Sequence, residues 1–368
     1  MKNLAVISML VCITACYTGE EISDLDPIWE YASPESVNFQ SETLYELDKA
    51  ISEKVYNDIT GVLMVKDQQL FFENYYGDHT RHTLRPIGNA TYGVIILALD
   101  FFITEGLCSL DDPIYTHLPE YTDIFDENPD KRKITIRHLL ENKSGLAWAE
   151  PSVYAPGNSS DISSMKRTTD WPGYVLRQPL EAQPGLRTVP NSGTAMVVAK
   201  ILQNLLIDRD LTDYISERLL HPLGIQHFEW EKSHSGLLNA SDGLYLSTLD
   251  YTRIGFLVLN EGRWLNKQRI ISRDWALEVV TPARLTNQYY GNGLGWKVFS
   301  DQFIEENTQS SQKIYFQTSI SGYSLYLVPD QQLVVGITSS NLFYHDVFNP
   351  SLYLFLRTLQ STYSPQAN

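Results

Sequence analysis

Cysteine, basic residues and long apolar runs are scarce in this sequence. Its 368 residues include three cysteines, and only Cys108 lies beyond residue 16, so a framework of internal disulfides is excluded. The 28 basic residues are outnumbered by 44 acidic ones, and the net charge of −16 argues against nucleic acid as a partner. No internal apolar run is long enough to cross a bilayer. We therefore expect a globular protein with a solvated, acidic surface.

Metal-ligand patterns and repeats are also missing. The eight histidines are scattered, without a His-x-x-x-His pair or a Cys/His cluster, so we predict neither a metal site nor a cofactor. The absence of internal repeats disfavours a solenoid. With 43% hydrophobic residues, the chain has enough apolar material for a large core.

The first sixteen residues have the composition of an export signal. Met1–Cys16 contains an early lysine and a short apolar run, too short for a transmembrane helix. Its end, Ile13-Thr-Ala-Cys16, resembles the lipobox of bacterial lipoproteins, which implies that Cys16 is acylated. The alternative is an ordinary cleaved signal peptide. We expect an exported lipoprotein in the periplasm or at the cell surface, in contact with the membrane only through Cys16, with residues 17–34 as a tether.

Strand patterns lie near both ends of the chain. A helix is predicted over Ser41–Val55, followed by a hairpin of Gly61–Lys66 and Gln69–Gly77. A short helix is predicted after Thr135, its N-cap, with Gly145 as its stop. Four further helices are predicted at 193–206, 211–219, 248–260 and 274–280. The stretch from 149 to 185 shows no periodicity and is interpreted as the irregular rim of a pocket.

The C-terminal part returns to strands. They are predicted at 293–298, 324–329 and 332–338, before a closing helix at 351–362. This order predicts an α/β (α+β) domain over residues 35–368. Its antiparallel sheet is drawn from residues 56–80 and 290–340, with a helical region inserted at about 110–285.

The stretch Ile87–Leu99 runs from a tight glycine-containing turn directly into an apolar helix. Unpaired N–H groups and a partial positive charge at a helix N-terminus favour a developing anion, so the place suits a nucleophile with a base one turn later. Those two positions are Asn89 and Tyr92. An amide has no ionisable proton, and a phenol of pKa about 10 is a poor base at neutral pH. The usual reactive residues are therefore absent from this place.

Seven short sequence segments occur in a characteristic order along the chain. They are Glu105-Gly-Leu-Cys-Ser-Leu-Asp-Asp-Pro, Leu118-Pro-Glu-Tyr, Ile134-Thr-Ile-Arg-His-Leu-Leu, Ser144-Gly-Leu, Asp242-Gly-Leu-Tyr-Leu-Ser-Thr-Leu-Asp, Gly255-Phe-Leu-Val-Leu-Asn-Glu-Gly-Arg-Trp and Gly322-Tyr-Ser-Leu-Tyr-Leu-Val-Pro. The set resembles the penicillin-recognising serine hydrolases: class C β-lactamases, DD-peptidases and their esterase and amide-hydrolase relatives. The resemblance covers nearly everything from about Ser33 onward and implies a β-lactamase/transpeptidase-like fold, with an antiparallel sheet flanked by helices and a cleft beside the helical region.

The chemistry that the resemblance implies needs three elements, and two of them precede the C-terminal strands. The first is Ser-x-x-Lys at the start of the central helix, where this chain has Asn89-Ala-Thr-Tyr92. The second is Tyr-x-Asn or Tyr-x-Ser, where this chain has Val189-Pro-Asn191. The nucleophile, the base and the tyrosine hydroxyl are missing, and only Asn191 matches.

The third element is Lys-Thr-Gly, or a His-x-Gly variant, on a strand of the pocket. The nearest stretch is Gln317-Thr318-Ser319, which has no lysine, histidine or glycine. Loss of a nucleophile or base from a cooperating set costs on the order of 10⁶ in rate in a well-studied serine protease. The three losses together predict a pseudoenzyme.

Two replacement nucleophiles are alternatives. Thr91 lies one residue beyond the lost serine position, but this step turns its side chain by roughly 100° along a helix. Ser163 and Lys166 form a literal Ser-x-x-Lys, in the irregular rim without an apolar helix behind it. His234-Ser-Gly236 imitates a His-x-Gly element but comes too early in the order, and we interpret it as a loop.

Three hypotheses follow. The first is an exported, inactive serine hydrolase homologue that binds a peptide-like or cell-wall-derived ligand, or a protein partner, in the former active-site cleft. The second is an active amide or ester hydrolase with a displaced nucleophile. The third is a surface scaffold without a small ligand.

Overall fold

The computed structural model describes residue 26 and residues 28–150, 160–265, 268–282, 285–308, 311–340 and 349–360. The predicted export signal and Cys16 lie outside these residues. Within them, no helix is both long and apolar enough to span a membrane.

The strands form one large sheet and two small ones. They are β1 (Glu30–Tyr31), β2 (Ile59–Lys66), β3 (Gln69–Tyr75), β4 (Arg85–Pro86), β5 (Glu229–Trp230), β6 (Leu244–Leu246), β7 (Arg263–Trp264), β8 (Gln268–Arg269), β9 (Tyr290–Asn292), β10 (Lys297–Phe299), β11 (Tyr315–Thr318), β12 (Tyr323–Val328) and β13 (Leu333–Ser339). The main sheet has the order β1-β3-β2-β13-β12-β11-β10-β9. All its neighbouring strands are antiparallel except β1 and β3.

Twelve α-helices occur in the described part of the chain. They are α1 (Ser41–Ser52), α2 (Thr91–Thr104), α3 (Thr122–Glu127), α4 (Ile136–Leu140), α5 (Asp161–Lys166), α6 (Trp171–Arg177), α7 (Thr194–Leu205), α8 (Leu211–Ile215), α9 (Thr248–Leu259), α10 (Arg273–Val280), α11 (Asp301–Thr308) and α12 (Pro350–Leu359). Helices α3 to α10 follow one another without a strand of the main sheet between them. The predicted fold class, an antiparallel sheet flanked by helices with an inserted helical region, is confirmed.

The main sheet buries both of its faces. In β2, Leu63 and Val65 pack with the residues of α2 and α9, whereas Val62 and Met64 pack with those of α1, α11 and α12. Successive side chains of a strand point to opposite faces, so a strand covered on both sides is apolar at every position. This arrangement explains the continuous apolar run in β2.

The predicted hairpin is confirmed. Strands β2 and β3 are antiparallel neighbours joined at Asp67 and Gln68, which have φ angles of 50° and 69°. Positive φ at both residues of a two-residue loop matches the right-handed twist of the paired strands. Pairing of β2 with β13 then joins the N-terminal and C-terminal strands in one sheet.

Helix α2 lies at the centre of the fold. Every residue from Gly93 to Phe102 is buried, as expected for a helix that is apolar all round. One of these residues is charged: the carboxylate of Asp100 accepts hydrogen bonds from the N–H and Oγ of Ser272, both at 2.6 Å. The start of α10 is thereby attached to the central helix, whose N-terminus carries the candidate site.

The folded part of the chain begins within the stretch assigned to the tether. Trp29 is buried, with its ring 5.2 Å from the rings of both Phe256 and Trp264. Asp26 forms an ion pair with Arg253 of α9, and both side chains are buried. These contacts attach the N-terminal segment to the domain before the first helix.

Two local expectations differ from the structure. The helix capped by Thr135 ends at Leu140 rather than at Gly145, because the chain leaves the helix at Glu141. The stretch predicted to be irregular contains α5 and α6, whose N-termini are capped by the side chains of Ser160 and Asp170. Helices of six and seven residues are too short to show a clear periodicity in the sequence.

Differences also occur near the ends of the chain. Helix α1 stops at Ser52, which leaves Val55 exposed. The predicted strand at 293–298 begins only at Lys297, and α11 is an additional helix between β10 and β11. Apolar residues in tight loops satisfy a strand pattern as well as residues in strands do, so the sequence pattern does not separate them.

Candidate functional site

The N-terminus of α2 touches the connection between β11 and β12. Gly88 precedes the helix with a φ of 59°, which favours glycine. A Cβ atom at Gly88 would lie 2.6 Å from the Oγ of Ser319 and 2.3 Å from the Oγ of Ser321. Only a residue without a side chain permits this approach, which brings the helix end against the strand connection.

Asn89 is exposed at this junction. Its Oδ1 accepts a hydrogen bond of 3.1 Å from the backbone N–H of Ile320, a residue 231 positions away in sequence. Free backbone N–H groups of this kind stabilise the oxyanion in acyl transfer. Here the amide side chain occupies the donor, and it has no proton to lose as a nucleophile.

Tyr92 lies at the position predicted for the base. Its hydroxyl is buried, and desolvation raises the pKa of the phenol above its usual value. A phenol that is harder to ionise than usual accepts no proton from a nucleophile at neutral pH. Asn89 and Tyr92 therefore supply neither a nucleophile nor a base.

The second element lies before α7 and has a structural role. The N–H of Val189 donates to the carbonyl of Asn142 at 2.7 Å, and the N–H of Asn191 donates to the Oδ1 of Asn142 at 3.1 Å. The Oδ1 of Asn191 accepts from the N–H of Thr194 at 3.2 Å, in the first turn of α7. Val189 has no hydroxyl to move a proton, so this stretch holds the helix end in place.

Gln317 lies on β11, in the stretch predicted to correspond to the third element. Its Nε2 donates to the carbonyl of Gly295 at 2.8 Å, and its Oε1 accepts from the hydroxyl of Tyr251 at 2.6 Å. Both ends of the amide are thus used inside the protein. Its neighbour Ser319 contacts the α2 turn, as described above.

Thr318 points away from this site. Side chains of paired residues share a face of the sheet, and Lys297 pairs with Phe316, two residues before Thr318. The Nζ of Lys297 donates to the Oγ1 of Thr318 at 3.3 Å, and burial lowers the pKa of Lys297 to about 8. Lys297 therefore lies on the opposite face of the sheet from Gln317.

Glu150 and Ser192 form a contact that the sequence analysis did not identify. The carboxylate of Glu150 accepts from the N–H of Ser192 at 2.5 Å and from its Oγ at 3.0 Å. Burial raises the pKa of this carboxyl above its usual range, although the two hydrogen bonds act in the opposite direction. Glu150 lies in a stretch without periodicity, so no signal in the sequence pointed to it.

The structure provides neither replacement nucleophile with a base. Thr91 is fully buried, and its Oγ1 accepts from the N–H of Leu244 at 3.2 Å. Lys166 is ion-paired with Asp242 at 2.7 Å, and the Oγ of Ser163 accepts from Ser160 at 3.0 Å. Neither candidate has a free base beside its hydroxyl.

His234, the predicted loop histidine, packs beside helix α6. Its ring is edge-on to that of Trp171, with 6.5 Å between the ring centroids. Trp171 begins α6, so His234 packs against the helical region, apart from Gln317 and the strand that carries the third element.

Comparison with known proteins agrees with this architecture. The chain matches the family model described as Beta-lactamase over residues 47–353. A protein of Salmonella enteritidis named "Putative D-alanyl-D-alanine carboxypeptidase" is 24% identical over 323 residues, which cover 77% of this chain and 73% of that protein.

Solved structures extend the comparison. The octameric penicillin-binding protein homologue from Pyrococcus abyssi superposes with a TM-score of 0.60 and 20% identity, covering 86% of this chain and 76% of that chain. The class C beta lactamase from Rhodobacter sphaeroides has a TM-score of 0.60 and 13% identity, with coverage of 87% and 98%. The β-lactamase-like fold predicted from the sequence is confirmed.

Proposed function

The chain belongs to the Beta-lactamase family, and we propose that it is a catalytically inactive serine hydrolase homologue. Its former active-site cleft binds a peptide-like or cell-wall-derived ligand, or a protein partner. The observation that carries this proposal is the hydrogen bond from Ile320 to Asn89. The side chain at the predicted nucleophile position accepts a hydrogen bond from an N–H group that an oxyanion would need. The site therefore lacks an attacking group, and this N–H is not free to stabilise an oxyanion.

The surrounding groups support the same function. Tyr92 and Gln317 replace the two lysines of the family's elements with a phenol of raised pKa and a neutral amide. Proton transfer needs a group whose pKa lies near the working pH. Neither side chain meets this requirement. Both are instead packed inside the protein, where they support the walls of the predicted cleft.

Hydrolysis by a displaced nucleophile has less support. Thr91 is inaccessible, and the amino group of Lys166 is engaged in an ion pair with Asp242. A hydroxyl needs a base in hydrogen-bond reach in order to be activated. We therefore keep the binding function as the conclusion.

The first test is covalent labelling of the protein. It is incubated with a fluorophosphonate and, separately, with a penicillin, while an active family relative is labelled in parallel. We expect the relative to gain mass and this protein to remain unmodified in intact-protein mass spectrometry. A stoichiometric adduct would overturn the inactive assignment, and peptide mapping would then identify the nucleophile.

Ligand binding is tested by thermal stabilisation. Because a relative is named as a D-alanyl-D-alanine carboxypeptidase, acetyl-D-alanyl-D-alanine and soluble cell-wall fragments are the first probes. A ligand present at 100 times its Kd stabilises a protein by about 2.7 kcal/mol, which gives a measurable rise in Tm. If no probe raises the Tm, the small-ligand part of the proposal fails and the protein-partner part is tested by crosslinking.

Export and lipid attachment are also part of the proposal. The sequence Ile13-Thr-Ala-Cys16 supports acylation of Cys16, with the domain held at the periplasmic or outer surface of a membrane. We expect the parent protein in the membrane fraction. The Cys16→Ser variant should appear in the soluble fraction or retain its uncleaved export signal. Equal partition of the two forms would contradict the lipid anchor.

A further inference from the structure

Strands β7 and β8 form a small antiparallel pair at the protein surface. Arg263 of β7 lies directly opposite Arg269 of β8, and both side chains are exposed. Directly opposite residues of an antiparallel pair share a face, and like charges in this position destabilise the pair. Within the described part of the chain, neither arginine has an ion-pair partner. Two uncompensated positive charges therefore lie side by side at this surface.

The surrounding segment is basic in an otherwise acidic protein. Residues 261–274 include four basic and two acidic residues, whereas the whole chain has a net charge of −16. One of these acidic residues, Glu261, is already paired with Arg273 at 2.6 Å. The Nη1 of Arg269 donates to the backbone carbonyl of Glu261 at 2.6 Å, which holds the side chain in place. The remaining N–H groups of Arg269, and those of Arg263, can donate to an anion.

The three consecutive basic residues at 131–133 are different. Lys131 is buried. Arg132 pairs with Asp126, and Lys133 pairs with Asp130 at 2.7 Å. The two exposed charges of this run are therefore compensated by neighbouring carboxylates, whereas the charges of the β7–β8 pair are not.

The N-terminal segment lies beside the β7–β8 pair. Asp26 forms a buried ion pair with Arg253 of α9, the helix that precedes β7. The ring of Trp29 lies 5.2 Å from that of Trp264, the residue after Arg263. The chain therefore enters the folded domain next to the two exposed arginines.

The chain before Asp26 is short compared with the domain. Residues 17–25 separate Asp26 from Cys16, the residue proposed to carry the lipid. Ten steps between Cα atoms extend to at most about 36 Å, whereas a folded domain of this size has a diameter of about 50 Å. A domain anchored at Cys16 therefore has the β7–β8 pair within reach of the membrane and its opposite side out of reach.

We propose that Arg263 and Arg269 bind the phosphate groups of anionic phospholipids and thereby orient the domain on the membrane. This proposal rests on the lipid anchor at Cys16 proposed above. Guanidinium groups bind phosphate through charge-assisted hydrogen bonds, often two at a time. Each basic residue near an anionic lipid surface raises membrane partitioning about fivefold. The tether adds the acidic residues Glu20, Glu21 and Asp24, so a basic surface is needed to hold the anchored domain against such lipids.

Fluorescence quenching on vesicles tests the proposal. Residues 17–368, with an N-terminal hexahistidine tag, are attached to a nickel-chelating lipid, so the test does not depend on acylation of Cys16. A nitrobenzoxadiazole fluorophore is coupled to Gln268→Cys in β8 or to Glu46→Cys, both exposed positions. Cys108 is buried and does not compete for the label. The quencher is a phospholipid with a nitroxide on its headgroup.

The two label positions lie on different sides of the main sheet. Glu46 belongs to α1, whose apolar residues pack on one face, whereas Trp264 of β7 packs with the core of the other face. In vesicles with about 30% phosphatidylglycerol, we expect at least threefold stronger quenching at residue 268 than at residue 46. Equal quenching at the two positions would overturn the proposal. So would the same quenching at residue 268 in vesicles of phosphatidylcholine alone.

Charge variants locate the contact. Arg263→Gln combined with Arg269→Gln should lower the quenching at residue 268 at least twofold, whereas lysine at both positions retains the charge and should preserve most of it. The matched control, Arg132→Gln combined with Lys133→Gln, removes the same charge from two other exposed residues and should have no effect. Unchanged Tm values exclude misfolding. If the glutamine variant at 263 and 269 is quenched like the parent protein, the proposal is wrong.

Membrane fractionation separates this proposal from the lipid anchor. Equal partition of the parent protein and Cys16→Ser would overturn the anchor and the orientation that depends on it. The vesicle experiment supplies its own attachment, so its result decides whether the two arginines bind anionic lipid.

Discussion

The Gln317 side chain lies directly against the backbone of Gly93. A Cβ atom at Gly93 would be 2.3 Å from the Nε2 of Gln317, closer than non-bonded atoms approach. Gln317 is held there by Gly295 and Tyr251, so it has little freedom to move. The central helix α2 and strand β11 are thereby packed against each other through a neutral amide.

This contact predicts the effect of Gly93→Ala. The added methyl group must displace Gln317, and overpacking of a buried site costs about 1–3 kcal/mol. Urea denaturation measures the loss in the free energy of unfolding. In a Gln317→Ala background the methyl group has room, so the cost of Gly93→Ala is expected to fall by at least half. An equal cost in both backgrounds would show that the contact is not the cause.

Asn89→Ser restores the nucleophile alone. We expect no covalent adduct with a penicillin or a fluorophosphonate, because Tyr92 is no base and a hydroxyl without one is not activated. Loss of the hydrogen bond to Ile320 lowers the free energy of unfolding by about 1 kcal/mol. Mass spectrometry and urea denaturation check the two effects. An adduct on residue 89 would mean that a base other than residue 92 serves this site.

Asp26→Ala removes one partner of a buried ion pair. Arg253 keeps its 2.8 Å contact with Asp250. We therefore expect the free energy of unfolding to fall by about 3 kcal/mol, which is the lower end of the range for broken buried ion pairs. The matched control is Asp130→Ala, which removes an exposed pair with Lys133 and should cost less than about 1 kcal/mol. Equal losses from the two variants would indicate that the N-terminal segment contributes no more than a surface contact.

Glu150 predicts a pH dependence of stability. Burial raises the pKa of its carboxyl in the folded state, so between the unfolded and the folded pKa the folded protein binds more protons. The contribution of Glu150 to stability is therefore greatest at low pH and falls as pH rises through this window. Glu150→Gln removes the titration, so we expect its free energy of unfolding to improve relative to the parent protein as pH increases.

The same denaturation series needs a control for the removal of one negative charge. Glu46→Gln makes this change on the exposed face of α1. The difference in the free energy of unfolding between Glu46→Gln and the parent protein should not show the pH dependence expected for Glu150→Gln. A parent-minus-variant difference for Glu150→Gln that does not vary with pH would contradict the raised pKa.

Much of the fold could be predicted because its signals are local. The apolar run of β2, the turn at Asp67-Gln68 and the all-round apolar α2 each carry a pattern within fifteen residues. Short helices such as α5 do not, because six residues contain fewer than two helical turns. Their formation depends on capping and on packing against α6, which no single stretch of sequence encodes.

The amino-acid sequence by itself determined the family's order of elements and predicted the loss of their reactive groups, since the absence of a hydroxyl or ammonium at a given position is a property of residue identity. The tertiary structure alone decided what the replacements do. Asn89 binds Ile320 across 231 positions, and Gln317 reaches Tyr251 across 66. Hydrogen bonds of this kind depend on where distant segments meet in three dimensions, and neither periodicity nor spacing along the chain specifies that meeting.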